Sequence, residues 1–255
     1  MILVFGGTTE GKKAISLLNE MQLSFVYSTK THFPVDAGVF GTHRSGAMNT
    51  DELKIFLKEK GIKAIIHASH PFAEKLTKTI ERVTENLSVP VIKWSRDTTE
   101  FPSDDTIHLV DGYEEALSKL RELNIQRLLG LTGVQSIDKL QSFWRVSTAF
   151  FRILDRPESK ELAEKSQFPK DQLILGYPNK LVEEECLLIR EKGIDGVLTK
   201  DSGTSGSLDV KIQACREERI PLVVLKRPEM PAAFKVVKST EVCRKELLNQ
   251  LEIWG

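Results

Sequence analysis

Cysteine is scarce in this chain of 255 residues: Cys186, Cys215 and Cys243 are the three present. They are odd in number, widely spaced and form no C-x-x-C pair. That excludes a disulfide framework and predicts a reducing, cytoplasmic setting. Net charge is also lacking, since 36 Lys and Arg balance 36 Asp and Glu. Without an excess of either sign there is no field to gather nucleic acid or a membrane surface, so neither is an expected partner. No apolar run approaches the ~18 residues of a membrane helix. The N-terminus reads as a strand followed by glycines and not as a signal peptide. What remains is a chain long enough for one large domain or two compact ones.

The first eleven residues organise the rest. Met1 to Phe5 is a short apolar run, Gly6-Gly7-Thr8-Thr9-Glu10-Gly11 follows, and Ala14, Ile15, Leu17, Leu18 and Met21 recur at helical spacing. The spacing predicts a buried strand, a glycine turn and a helix. Such a helix start points unpaired N–H groups and the positive end of its dipole at an anion, usually phosphate. Gly6 and Gly7 permit close backbone approach, and Thr8 and Thr9 add hydroxyls. Gly6, Gly11 and Lys12 fit part of a P-loop, but Lys13 stands where Ser or Thr would hold magnesium. The strand at Ala64-Ile65-Ile66 also ends without a carboxylate. The strict G-x-G-x-x-G is absent too, so a dinucleotide site and a turn that binds nothing both stay open on the loop alone.

The next strand, Leu23 to Tyr27, ends in Ser28-Thr29-Lys30. An NAD site tends to place an acid there for the ribose hydroxyls. Two hydroxyls and a cation suit a 2′-phosphate instead, hence NADP, with an ordinary polar turn as the alternative.

Further along, strands and helices alternate. Helices are predicted over 50–60, from Pro71 to about Leu87, and over 112–123, 181–192 and 210–219. Strands are predicted near 64–68, 89–94, 107–110, 127–131, 146–154, 173–175, 196–199 and 222–225. Residues 100–106 read as a linker. The pattern predicts an α/β chain of two Rossmann-like, doubly wound domains with mainly parallel sheets, residues 1–103 and 104–255, and a cleft between them. The unusual residues stand at strand ends, where such sheets bind ligands: His70-Pro71, Thr132-Gly133, Gly176-Tyr177-Pro178 and Lys200 to Gly206. His67 and His70 form H-x-x-H, but no Cys or carboxylate is spaced to complete a set, so no metal site is expected. His70 fits either a proton donor or a turn cap. Asp201 and Ser202 fit caps for the next helix, whereas Lys200 at a strand end is harder to assign to structure alone.

These stretches together resemble the precorrin-6A reductases. The residues that carry the likeness are Gly6 to Glu10, Arg44-Ser45-Gly46, Ala68 to Ala73, Thr132-Gly133, Lys200 to Gly203 and Lys226-Arg227-Pro228. They come in the family's order over nearly the whole chain. Val134-Gln135, Gly176-Tyr177-Pro178 and Gly203-Thr204 depart from its pattern. The resemblance implies an oxidoreductase of corrin-ring (cobalamin) biosynthesis, acting on a ring double bond of precorrin-6A or its cobalt form. The implied cofactor is NADPH, with NADH open. Cofactor contacts are then expected at Gly6, Gly7, Thr8, Thr9, Glu10, Ser28, Thr29, Lys30, Thr132, Gly133, Asp201, Ser202 and Gly203. A macrocycle rich in carboxylates calls for a basic rim, for which Arg44, Lys93, Arg96 and Arg227 are candidates. His70 is expected as proton donor and Lys200 as carboxylate anchor, facing one cleft from opposite domains, in a monomer or small homo-oligomer. A short-chain dehydrogenase is excluded, because Tyr27, Tyr113 and Tyr177 are followed four residues on by Thr31, Leu117 and Leu181 and not by Lys. A non-catalytic dinucleotide-sensing module is the other reading, and it gives the Lys200 loop no reason.

Overall fold

The computed structural model describes residues 1–32, 34–96, 101, 104–203 and 206–252. The chain forms two compact units, Met1–Asp97 with Pro228–Gly255, and Thr98–Arg227.

The first unit opens with β1 (Ile2–Phe5), α1 (Thr9–Glu20), β2 (Phe25–Thr29), β3 (Gly41–Ser45), α2 (Thr50–Glu59), β4 (Ala64–His67), α3 (Glu74–Thr84) and β5 (Val91–Trp94). The second contains β6 (Ile107–Val110), α4 (Tyr113–Glu122), β7 (Arg127–Gly130), α5 (Gln141–Trp144), β8 (Thr148–Ile153), α6 (Pro157–Lys165), β9 (Leu173–Leu175), α7 (Val182–Lys192), β10 (Gly196–Lys200), α8 (Leu208–Glu218) and β11 (Leu222–Leu225). The chain then closes with β12 (Lys235–Val237) and α9 (Thr240–Glu252).

Both sheets are six-stranded and parallel, with orders β12-β5-β4-β1-β2-β3 and β6-β11-β10-β7-β8-β9. This is the doubly wound arrangement read from the sequence. Every residue of β1, β4 and β5 is buried, as strands covered on both faces require. Side chains of β1 alternate between two cores. Ile2 and Val4 pack with Ala14, Leu17, Leu18 and Leu247, while Leu3 and Phe5 pack with Leu53, Leu57 and Ile80. In the second unit, Leu129, Phe150, Val197 and Val224 share one cluster with Cys186, Ile189 and Cys215.

Three local expectations are corrected. The segment after residue 227 does not stay with the second sheet: β12 pairs with β5, and α9 packs on α1. Pro71 lies in the turn ahead of α3, which starts at Glu74. Asp201 and Ser202 do not cap α8, which starts at Leu208 after Ser207. Helices α5, α6 and α9 and strand β12 had no counterpart in the sequence pattern. Of the expected linker over 100–106, residues 100, 102 and 103 lie outside the described residues, as do Thr204 and Ser205 of the Lys200 loop.

Candidate active site

In each sheet the order of strands reverses at one place, between β1 and β4 in the first unit and between β7 and β10 in the second. Crevices at such reversals, beyond the C-terminal ends of the strands, are where doubly wound sheets hold ligands. Four of the motifs chosen from the sequence stand at these two places, while Ser28-Thr29-Lys30 and Gly176-Tyr177-Pro178 stand at the ends of β2 and β9 instead. The Gly6 loop leaves β1 and the Ser69–Pro71 turn leaves β4, with Phe5 opposite His67. Thr132-Gly133 leaves β7 and the Lys200 loop leaves β10, with Leu131 N–H bonded to Leu198 O at 2.8 Å.

The glycine loop is held from below. A Cβ on Gly6 would lie 2.1 Å from the Tyr27 ring, so Gly6 is required by packing. Gly7 has φ +94, a region that favours glycine, and opens onto free space. Its N–H donates to the Tyr27 hydroxyl at 2.8 Å. Thr8 caps α1 by accepting from Gly11 N–H at 3.1 Å, and its own proton goes to Ala68 O at 2.6 Å. The hydroxyl of Thr8 is therefore not an available phosphate donor, contrary to expectation. The N–H groups of Thr8 and Thr9 stand at the positive end of the α1 dipole. With the open face of Gly7, they fit one phosphate-bearing ligand.

Glu10 was expected at the cofactor and is instead 8% exposed and paired with Arg96 at 3.1 Å. Burial raises its pKa, but the backbone N–H of its own helix start and the Arg96 guanidinium outweigh that and hold it below the ordinary carboxylate range. The pairing neutralises an acid in the first turn of α1 that would otherwise repel phosphate. Glu10 is thus one partner of Arg96.

Lys93 is likewise not a rim cation. It is 2% exposed, and its Nζ donates to Ser69 O at 2.9 Å. Burial pulls its pKa down to about 8, against the attraction of Glu10 and with the repulsion of Arg96. Two consecutive carbonyls, Ala68 O and Ser69 O, are thus latched by Thr8 and Lys93. His67 is fully buried between Thr77 Oγ1 (2.9 Å) and Ser69 Oγ (3.1 Å), and burial, with Lys93 nearby, holds it neutral. His70 follows on this fixed turn. Its Nδ1 accepts from Phe72 N–H at 3.2 Å and its carbonyl accepts from Ala73 N–H at 2.9 Å.

At the end of β2 the roles differ from expectation. Ser28 is 3% exposed and accepts from Arg44 Nη1 at 2.7 Å. Arg44 also donates to Gly46 O and lies over the Phe56 ring, 5.6 Å from its centroid. Burial lowers its pKa, while Glu52 opposes that. Thr29 Oγ1 donates to Thr31 O and meets His43 Nε2 at 2.8 Å. Lys30 is exposed. The cation fixed beside β2 is therefore Arg44, which was assigned to substrate on sequence.

In the second unit, Thr132 Oγ1 meets Ser136 Oγ, which donates to Gly133 O. Lys200 is half-buried at the end of β10, opposite Leu225. Arg227 grips Asp201 through Nε (3.0 Å to Oδ2) and Nη2 (3.1 Å to Oδ1). The Arg227 guanidinium thus holds Asp201 at the start of the loop after β10, where a substrate contact had been expected. No group of three or more His, Cys, Asp or Glu suited to a metal occurs among the described residues. No described helix is long and apolar enough to cross a membrane.

The family model of precorrin-6x reductase CbiJ/CobK matches residues 1–246. The chain belongs to the precorrin-6x reductase family. It is thereby one of the oxidoreductases of corrin-ring biosynthesis. The cobalt-precorrin-6A reductase of Priestia megaterium is 27% identical, covering 80% of each chain. The precorrin-6A reductase of Mycobacterium tuberculosis (strain ATCC 25618 / H37Rv) is 28% identical, covering 93% of each. A solved structure titled CobK precorrin-6A reductase superposes with a TM-score of 0.78 at 22% identity, over 98% of this chain and 96% of that one. That likeness supports the fold of the reductase. The tyrosine beneath the glycine loop and the Arg44–Ser28 pair were missed on sequence. A tyrosine ending a strand beside two glycines is the one signal that pointed to the first.

Proposed function

We propose that this chain reduces one ring double bond of precorrin-6A or cobalt-precorrin-6A with NADPH. Family membership over residues 1–246 carries the reading. The open face of Gly7 and the N–H groups of Thr8 and Thr9 support a pyrophosphate at α1. Arg44 supports the 2′-phosphate: it stands at the end of β3, beside the end of β2, where this fold reads the ribose. A guanidinium there favours a phosphate dianion over a bare hydroxyl.

The cofactor, when bound, supplies a hydride, and a proton must reach the neighbouring ring atom so that one double bond is consumed. His70 and Lys200 are the residues proposed for the proton and for a substrate carboxylate. Protonating His70 at Nδ1 would break its bond to Phe72 N–H, so His70 acts as an acid only if the turn relaxes. Lys93 and Thr8 hold that turn through Ser69 O and Ala68 O. Their contribution is orientation of the site.

The test is an anaerobic absorbance assay of the purified protein with NADPH, NADH and each form of the tetrapyrrole. NADPH loss matched by a change in the tetrapyrrole spectrum supports the reading. Absence of turnover with both substrates overturns it.

A further inference from the structure

Away from both strand reversals, the second unit buries an unbalanced set of charges. Arg152 on β8 is 7% exposed, Glu185 on α7 is 2% and Lys211 on α8 is 4%. Arg152 Nη2 lies 3.0 Å from Glu185 Oε2, and Asn179 Nδ2 donates to that same oxygen at 2.7 Å. Lys211 Nζ donates to Thr199 Oγ1 at 3.2 Å. Glu185 pairs with Arg152 and attracts Lys211 without a described ion pair to it, and a buried surplus charge is costly without a counter-ion. Arg152 Nη1 is buried and has no hydrogen-bond partner among the described residues.

Arg152 lines an open cavity of about 340 Å³, with its guanidinium nitrogens Nη1 and Nη2 buried beneath that wall. Gly176, Tyr177 and Asn179, from the loop after β9, form one side of it. Ile174, Leu175, Leu187 and Leu188 give it apolar walls. Arg152 is one residue from the C-terminal end of β8, so the cavity opens at the ligand-binding end of its sheet. A guanidinium presents paired donors matched to a carboxylate. Glu184 and Glu191 stand at the rim, exposed. Salt screens such exposed charges more than it screens a buried guanidinium.

We propose that this cavity is a subsite for one carboxylate on a short aliphatic arm, with Arg152 as its anchor. The apolar walls take the arm, and the second face of the guanidinium takes the carboxylate that balances Lys211. The assignment of that arm to the substrate rests on the reductase reading, since the tetrapyrrole carries such arms. Asn179 and Glu185 are positioning residues that fix the Arg152 fork.

The experiment uses the full chain and two variants. Arg152→Lys keeps a cation against Glu185 but loses the fork. The double variant Arg152→Met with Glu185→Met removes the ion pair, and Lys211, left without that carboxylate, can release its proton because burial already pulls its pKa to about 8. Glutarate is the probe, titrated by amide NMR. Shifts at Gly176, Tyr177 and Asn179 in the parent, absent in the double variant, are expected. In turnover, the apparent KM for tetrapyrrole should rise about 10- to 100-fold, with kcat and NADPH affinity unchanged, because an anchor equal in ground and transition states acts on KM. Glutarate shifts that persist in the folded double variant, or are absent from the parent, overturn the subsite. Glutarate shifts with an unchanged KM overturn its assignment to substrate. If the parent turns over no tetrapyrrole yet glutarate shifts these amides, the reductase reading fails and the anion site stands.

Discussion

Arg44→Gln should separate the two nicotinamide cofactors. In the parent, Arg44 is held by Ser28 Oγ at 2.7 Å and Gly46 O at 2.9 Å, and it lies over Phe56. Its orientation is thus set before any ligand arrives, and little entropy is lost in offering its remaining donors to a phosphate. Hydrogen bonds to charged groups contribute about 1.5–3 kcal/mol each. Losing one such contact corresponds to roughly a 10- to 100-fold weaker Kd for NADPH. NADH, which lacks the 2′-phosphate, should bind the variant and the parent alike. Ser28→Asp tests the same point from the other side. The new carboxylate would pair with Arg44 and withdraw it, so NADPH weakens while NADH changes little. Cofactor fluorescence titration at fixed ionic strength measures both, and circular dichroism confirms folding. Equal losses for NADPH and NADH, or none for either, would refute the placement of the 2′-phosphate at Arg44.

Gly7→Val should abolish cofactor binding, because the space its side chain would take is open to a ligand; its φ of +94 adds backbone strain, so circular dichroism must first show a folded variant. Gly6→Ala, in contrast, should lower the melting temperature, since its Cβ meets the Tyr27 ring; thermal denaturation checks it. Lys93 titrates near pH 8 in the folded chain and near 10.5 as its ordinary value. Between those pH values the unfolded chain holds a proton that the folded one has released, so this lysine makes stability rise with pH, by roughly 3 kcal/mol at most. Lys93→Met should flatten that rise in denaturant unfolding measured from pH 7 to 10.5, leaving the similar rise from Lys211, whose pKa is also pulled to about 8. Should the rise persist unchanged, the buried ammonium is not its source. His70→Ala should lower kcat by about 10²- to 10⁴-fold if His70 delivers the proton; full turnover would remove it from the proton path.

The parts legible in the sequence were those with local causes. Strand β1, the glycine loop and α1 announce themselves within about twenty residues, because apolar periodicity and glycine turns are short-range signals. The strand-end positions of His70, Thr132 and Lys200 followed from that alternation. What was not legible depends on partners far along the chain. Nothing at Lys93 says that it is buried under Ser69 O, nor at Arg96 or Arg227 that an acid waits for it at Glu10 or Asp201. A single Arg or Lys looks the same in sequence whether it ends in solvent or in an ion pair. The return of β12 to the first sheet was hidden for a similar reason. Three residues at a sheet edge, two of them exposed, carry too little apolar pattern to register.

The most direct test of the central claim is transfer of the label from NADPH deuterated at the transferable C4 position. The reductase should place one non-exchangeable deuterium on the reduced ring of the tetrapyrrole, seen by mass spectrometry of the product under anaerobic conditions, with one equivalent of oxidised cofactor formed. A reduced product without deuterium from either face of the nicotinamide, or cofactor binding with no reduced product from either form of the substrate, would contradict it.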